Sequence, residues 1–342
     1  MVVTSACRSE KRNKNMGIDN FLEDLLEIQL TSGSKGHFLH PVQSFSPDDK
    51  WLVYDTRNDD THIGRTCCIE MINIDSKDTV RLYSTKNQME FGPGVGAVTF
   101  NPQKNQGLFI HGFSRRTGVS IKTELLQQPI FLDARDVTEP YTPGALRGGA
   151  HAHTWSPDGE WISFTYNDEV LTKSDSGKPI EGTAKTRPMP PTGTVQRRIT
   201  FTGDRKYPGI QGPRHPVRSL TDGSSVLFMM KDDDEIVQIY GVSPNGGEIE
   251  QFTRNKSSIE TTFDISADGK YLAYGIEEQI YITEISSGLT RKIKNVMNSR
   301  NHGLRAINWS NNGKTIAYNR QVIKRDTSYY QIFMLKLGEN DG

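Results

Sequence analysis

Six stretches decide the fold: SFSPDDKWLVY (Ser44–Tyr54), TFNPQKNQGLFI (Thr99–Ile110), TWSPDGEWISF (Thr154–Phe164), SLTDGSSVLF (Ser219–Phe228), DISADGKYLAY (Asp264–Tyr274) and NWSNNGKTIAY (Asn308–Tyr318). Each runs from a short apolar strand through a tight turn into a second apolar strand. Asp-Gly at 158–159, 222–223 and 268–269 and Asn-Gly at 312–313 are hairpin dipeptides, whose two central residues tolerate positive φ. One such unit cannot bury both of its faces, whereas stacked copies can.

Working outward, a third strand follows in several units: Cys68–Ile74, Glu235–Val242, Gln279–Ile285 and Tyr329–Leu337. A short fourth has the pattern polar-apolar-Thr, as in Gln29-Leu30-Thr31, Arg198-Ile199-Thr200 and Gln251-Phe252-Thr253. Repeated four-stranded antiparallel units are the blades of a β-propeller. First strands near 41, 95, 150, 215, 259 and 304 give an all-β chain of six blades. The last unit has only three strands, and Glu27–Thr31 has the fourth-strand pattern without a unit of its own. The N-terminal strand is therefore expected to pair with the last blade and close the ring, which removes open edges. Residues 1–26 form a tail, 27–337 a single propeller and 338–342 a short end. Between Leu171 and Thr194 the alternation fails.

Composition narrows the function. Lys+Arg and Asp+Glu both number 41 in 342 residues. Zero net charge argues against a nucleic-acid binder. No apolar run is long enough for a transmembrane helix. The three cysteines, Cys7, Cys67 and Cys68, suggest no disulfide framework, because adjacent cysteines rarely pair; the last two read as strand filler. Val3–Cys7 has the small-residue pattern before a lipidated cysteine, and Arg8–Lys14 follows like a tether. Only Met1–Val3 precede it where an apolar segment is needed. A start further upstream would make the chain a periplasmic lipoprotein; otherwise it is cytoplasmic. A closed ring demands no dimer, so a monomer is expected.

The SPDG-type turns and the fourth-strand Thr resemble TolB-like propeller repeats from Glu27 to about Leu337. PGALRGGAHAHTWSPDGEWISFTY (Pro143–Tyr166) and VQRRITFTGDRKYPGIQGPRH (Val195–His215) are similar to the YidR-type bacterial proteins, a TolB-like family without an assigned activity. Members of that family carry a longer insert where this chain has Ser174–Thr183, which admits seven blades as the alternative. The chain also resembles the metal-dependent oligogalacturonate lyases, propellers with His-x-His at the funnel. There a Gln stands five residues before the second His, where this chain has Gly148.

Aligning the units on the turn serine places Pro41, Gly96, His151, His215, Thr261 and Arg305 at the start of the innermost strands, around the channel mouth. His40, Arg147, His153, Arg214, Arg218, Arg300 and His302 lie beside them. Alternation along a strand puts His151 and His153 on one side. They could grip one divalent metal ion (Mn, Zn or similar) with His215 or His40 as a further ligand. At the position of His153 other units carry the apolar Val98, Val217, Phe263 and Ile307. A histidine there is satisfied by a backbone carbonyl, a metal or a ligand. Arg147, Arg214, Arg218, Arg300 and Arg305 would form an anion-attracting funnel, or else pair with local acids such as Glu260 and Asp264. Two functions follow. One is a module that binds an anionic small molecule, an oligosaccharide or a protein partner at the mouth. The other is a metal-dependent lyase on an anionic saccharide. In it the metal would neutralise a uronate carboxylate, with His215 or His302 as base.

Overall fold

The computed structural model describes residues 25, 27–59, 63–86, 94–112, 116–132, 139–140, 150–166, 197–213, 217–293 and 302–337. Among these residues the strands form six antiparallel sheets. Sheet 1 holds Trp51–Asp55, Cys68–Asn73 and Thr79–Ser84, with inner bridges Phe38↔Asp55 and Phe45↔Leu52. Sheet 2 holds Val95–Phe100, Gln106–His111, Thr117–Lys122 and Ile130–Phe131. Sheet 3 holds Ala150–Trp155 and Ile162–Tyr166. Sheet 4 holds Arg218–Ser219, Val226–Lys231, Val237–Val242 and Glu250–Gln251. Sheet 5 holds Asp264–Ile265, Tyr271–Ile276, Gln279–Glu284 and Thr290–Lys292. Sheet 6 holds His302–Trp309, Thr315–Lys324, Thr327–Lys336 and, as its outermost strand, Glu27–Gln29. Among the described residues one 3-10 turn, Ile63–Arg65, interrupts the β structure, and no described helix is long and apolar enough to cross a membrane.

The repeated turn has a physical reason. Ser46, Ser156, Ser266 and Ser310 each donate from Oγ to the side chain two residues on (Asp48, Asp158, Asp268, Asn312). Each Oγ also accepts the backbone N–H five residues on, at 2.9 Å. The serine thus ties off both ends of the hairpin. Only one residue per turn takes positive φ: Gly159, Gly223, Gly269 and Gly313 at 70–73°. This corrects the expectation of two such residues; the turn is a type I turn followed by a left-handed residue. In sheet 1 that residue is Asp49, at φ 56°. Its buried carboxylate accepts the Asn311 and Asn312 N–H groups at 2.7 Å, joining the turns of sheets 1 and 6.

The fourth-strand threonine is equally legible. Thr31 and Thr253 accept the N–H groups of Ile332 and Ile239 through Oγ1 at 2.8 Å, continuing the ladder where the short strand ends. The third member of the pattern differs: residues 198–200 form no strand.

Neighbouring sheets other than sheet 3 pack face to face through shared apolar cores. One core joins sheets 1 and 2 through Val53, Ile69 and Leu82 against Val98, Phe109 and Val119. Others join sheets 4 and 5, 5 and 6, and 6 and 1. Sheet 3 docks on sheet 2 through the Asn101 amide, which donates to Gly159 O at 2.9 Å, and through Ala150 N–H, which donates to Arg116 O at 2.7 Å. The expected pairing of the N-terminal strand with the last sheet is observed, with Glu27 opposite Leu335 and Gln29 opposite Phe333. A second correction concerns Cys67 and Cys68, which are bonded to each other as a vicinal disulfide. Cys68 opens a strand and is buried, so the pair terminates the link between the first two strands of sheet 1 instead of merely filling it.

Candidate functional site

The inner strands share one irregularity that shapes the mouth. In sheets 2, 3 and 6 two residues oppose one: Ala97–Val98, Ala152–His153 and Ala306–Ile307. The alanine of each β-bulge has φ of 50–56°. Bulges re-aim side chains and bend the strand. Here they separate His151, which is exposed, from His153, which is 5% exposed. The expectation that these histidines share one face is thereby corrected, because simple alternation does not survive a bulge. The His153 ring stacks on Phe164, with centroids 5.4 Å apart and planes 20° apart. On its other side lies Gly118, where an added Cβ would come within 2.4 Å of Nε2. His153 therefore occupies the packing position that Val98, Phe263 and Ile307 fill in the other sheets, all of them fully buried.

Beyond the bulges the strand ends enclose a cavity of about 550 Å³. Its wall includes Pro41, His151, Thr261 and Arg305, four of the residues aligned at the start of the innermost strands. It also includes His40, His153, Thr262, Arg218, Arg57 and Arg116. No aspartate or glutamate stands among the described lining residues. Acids lie behind the arginines instead. Asp55 accepts from Arg57 Nε at 2.7 Å, and both are buried. The Arg57 guanidinium also lies 5.2 Å from the centre of the Phe38 ring. Asp264 lies 3.9 Å from Arg218, which also donates to Pro41 O. Burial pushes Asp264 above the usual carboxylate range, against the pull of Arg218. Burial likewise lowers Arg116 and Arg218 from the ordinary guanidinium value.

Of the remaining residues, His302 is exposed and does not line the cavity. Arg147, Arg214, His215 and Arg300 lie outside the described residues. Among the described residues no three of His, Cys, Asp and Glu come together as metal ligands. His40, His151 and His153 alone do not fit a metal centre. Arg57 and Arg116 were missed because only inner-strand starts were aligned. Arg57 follows the strand Trp51–Asp55 of sheet 1 and Arg116 precedes the strand Thr117–Lys122 of sheet 2. Both positions return to the same rim, and the arginine two residues beyond Asp55 was the available signal.

Antiparallel sheets whose inner strands end at one polar cavity are the architecture of a β-propeller. The oligogalacturonate lyase from Vibrio parahaemolyticus superposes with a TM-score of 0.52 at 11% identity, over 92% of this chain and 94% of that one. A protein described as TolB from Agrobacterium tumefaciens gives 0.44 at 13% identity, over 80% and 98%. The chain belongs to the family of the Escherichia coli protein YidR: the two are 30% identical over 78% of this chain and 88% of YidR. Residues 94–190 match the family described as "Protein of unknown function (DUF3748)". The YidR alignment runs over 375 positions, roughly a hundred more than 78% of these 342 residues.

Proposed function

We propose that this chain is a ligand-binding propeller of six blades, one per sheet, whose mouth takes a small anionic molecule or a short anionic saccharide. The carrying observation is the wall: four arginines and no described acid around one cavity, in a chain of zero net charge. In a concave, partly desolvated site, charges of one sign concentrate the field and attract a counter-ion. Guanidinium forks match carboxylate and phosphate oxygens. A partner protein presenting an acidic side chain would use the same chemistry.

The second reading, a metal-dependent lyase on oligogalacturonate-type substrates, draws on the fold likeness to oligogalacturonate lyase and on His40, His151 and His153 in the wall. It requires His215 or another ligand from outside the described residues, together with a manganese, zinc or similar ion, and no reaction step is derived from it. Two measurements separate the readings. Calorimetric titration with digalacturonate at low salt should show binding that weakens as salt rises and is lost in Arg305→Gln. No binding by the unaltered protein of digalacturonate, citrate or phosphate would overturn the anion reading. Elemental analysis of chelator-free protein should find no stoichiometric metal. Near-stoichiometric metal that disappears on replacing His151 and His153 by Ala would make the lyase the better account.

A further inference from the structure

The Cys67–Cys68 disulfide stands directly behind one wall of the mouth, and its two sulfurs are placed differently. Cys68 is buried and opens the strand Cys68–Asn73, with its Sγ 3.9 Å from Ser84 Oγ. Cys67 is half-buried in the link just before that strand, with its Sγ 3.8 Å from Thr56 Oγ1. Neighbouring side chains of a strand point to opposite faces. Two adjacent cysteines can therefore be bonded only where the strand stops, and the bond holds Cys67 out of it.

What Cys67 keeps in place is the wall. Thr66 O, one residue earlier, accepts at 3.1 Å the Val95 N–H that starts the inner strand of sheet 2, and the Thr66 N–H closes the 3-10 turn on Ile63 O at 3.0 Å. The turn lies against sheet 2 without clearance: a Cβ at Gly94 would come within 1.7 Å of Ile63 O, and one at Gly96 within 3.3 Å of Ile63 Cγ1. The same Gly96 Cβ would stand 3.3 Å from Arg57 Nε. Ile63 and Arg57 both line the cavity. Cys68 O in turn accepts the N–H of Thr56, the residue before Arg57, at 3.3 Å. The bonded pair thus adjoins both segments, the one that carries Ile63 and the one that carries Arg57.

We propose that Cys67–Cys68 is a redox site: a dithiol reduces it in the folded protein, and the reduced pair releases the Ile63 wall of the mouth. A thiolate of the dithiol attacks the accessible Cys67 Sγ, the Cys67–Cys68 bond breaks, and Cys68 leaves as a thiolate beside the Ser84 hydroxyl. The second thiolate of the reductant then attacks the reductant's own sulfur in the mixed disulfide, and Cys67 leaves. Two electrons pass from the dithiol, which becomes a disulfide, and its two protons end on Cys67 and Cys68. Cys67 is then free to follow the alternation of the strand, and Thr66 turns with it, away from Val95. The inference holds whatever ligand the mouth takes.

The test treats the folded protein with dithiothreitol, then alkylates free thiols and maps them by mass spectrometry, which separates this pair from Cys7. Both Cys67 and Cys68 should be alkylated without denaturant. In ¹⁵N-labelled protein the amides of Val95 and of Ala97, which donates to Asp55 Oδ2 at 2.8 Å, should shift on reduction and return on reoxidation. Hydrogen exchange of the Val95 amide should quicken about two- to tenfold, the effect of losing one hydrogen bond. Ile239, whose N–H donates to Thr253 in sheet 4, should not move. These readouts need no substitution. Cys67→Ser, which cannot form the bond, should show the reduced positions at once and ignore dithiothreitol. A disulfide that resists dithiothreitol until the chain unfolds would overturn the redox site. Full reduction that leaves the Val95 and Ala97 amides unmoved would overturn its link to the mouth.

Discussion

Replacing Glu27 should unlatch the terminal strand. Glu27–Gln29 is only three residues long, and its ladder to Thr327–Lys336 is too short to hold by itself. The fastening is ionic. Glu27 Oε1 accepts Arg320 Nε at 2.7 Å and Tyr318 Oη at 2.6 Å, with Arg320 fully buried and Glu27 5% exposed. The other carboxylate near Arg320, Glu278, is 3.5 Å away and 40% exposed. Glu27→Ala would therefore leave a buried guanidinium without its main counter-charge and a buried phenol without its acceptor. Breaking a buried pair by removing one partner costs about 3–5 kcal/mol. In a chain of this size that is a fall in Tm of roughly 5–10 °C. Urea denaturation measures the loss, and hydrogen exchange locates it, since the Leu30 N–H that donates to Ile332 O should exchange faster. Replacing the group together (Glu27→Met, Tyr318→Phe, Arg320→Met) should recover most of the loss, because apolar substitutes carry no desolvation penalty. A Glu27→Ala cost below about 1 kcal/mol, or a triple variant as unstable as the single, would refute the reasoning.

Three further outcomes are expected. His37 is 4% exposed, and burial first, then the charge of Lys35, lowers its pKa to about 4 against the opposing pull of Glu70. The native state refuses a proton that the unfolded state accepts, so stability should fall by roughly 3 kcal/mol as pH drops from 6.5 to 4; in His37→Gln, urea midpoints should lose that part of the slope. Gly159→Ala should cost more than Gly223→Ala although both have φ near 70°, because the added Cβ meets Asn101 Oδ1 at 2.3 Å in the first and nothing within 4 Å in the second. Equal costs by chemical denaturation would show that backbone strain alone decides. Reducing the Cys67–Cys68 bond should leave Tm within about 2 °C, since a bridge between neighbours closes almost no loop; a larger fall by calorimetry would assign it a packing role.

Much of the architecture was legible because the turn is chemically specific. A serine followed two residues later by Asp or Asn can hold a hairpin only one way, so Ser46, Ser156, Ser266 and Ser310 mark strand ends reliably. The threonine of the fourth strand was legible for a similar reason, since its hydroxyl substitutes for a ladder acceptor. Arg198–Thr200 shares the spelling without the partner strand, and a three-residue pattern cannot reveal that absence. The Cys67–Cys68 bond escaped because base rates for adjacent cysteines, not anything local, argued against it.

The mouth shows where periodicity stops being informative. Aligning repeats brought Pro41, His151, Thr261 and Arg305 to one cavity although they come from four sheets, because radial packing converts equal register into spatial convergence. Pairing His151 with His153 required strict alternation as well, and the bulge at Ala152 breaks it. The bulge is nearly invisible in sequence, since Ala97, Ala152 and Ala306 are residues that ordinarily avoid positive φ. What sustains them is the surroundings: at Ala97 the N–H released from the ladder is met by a buried carboxylate. A conformation disfavoured at one residue is thus held in place by an electrostatic contact from the neighbouring sheet.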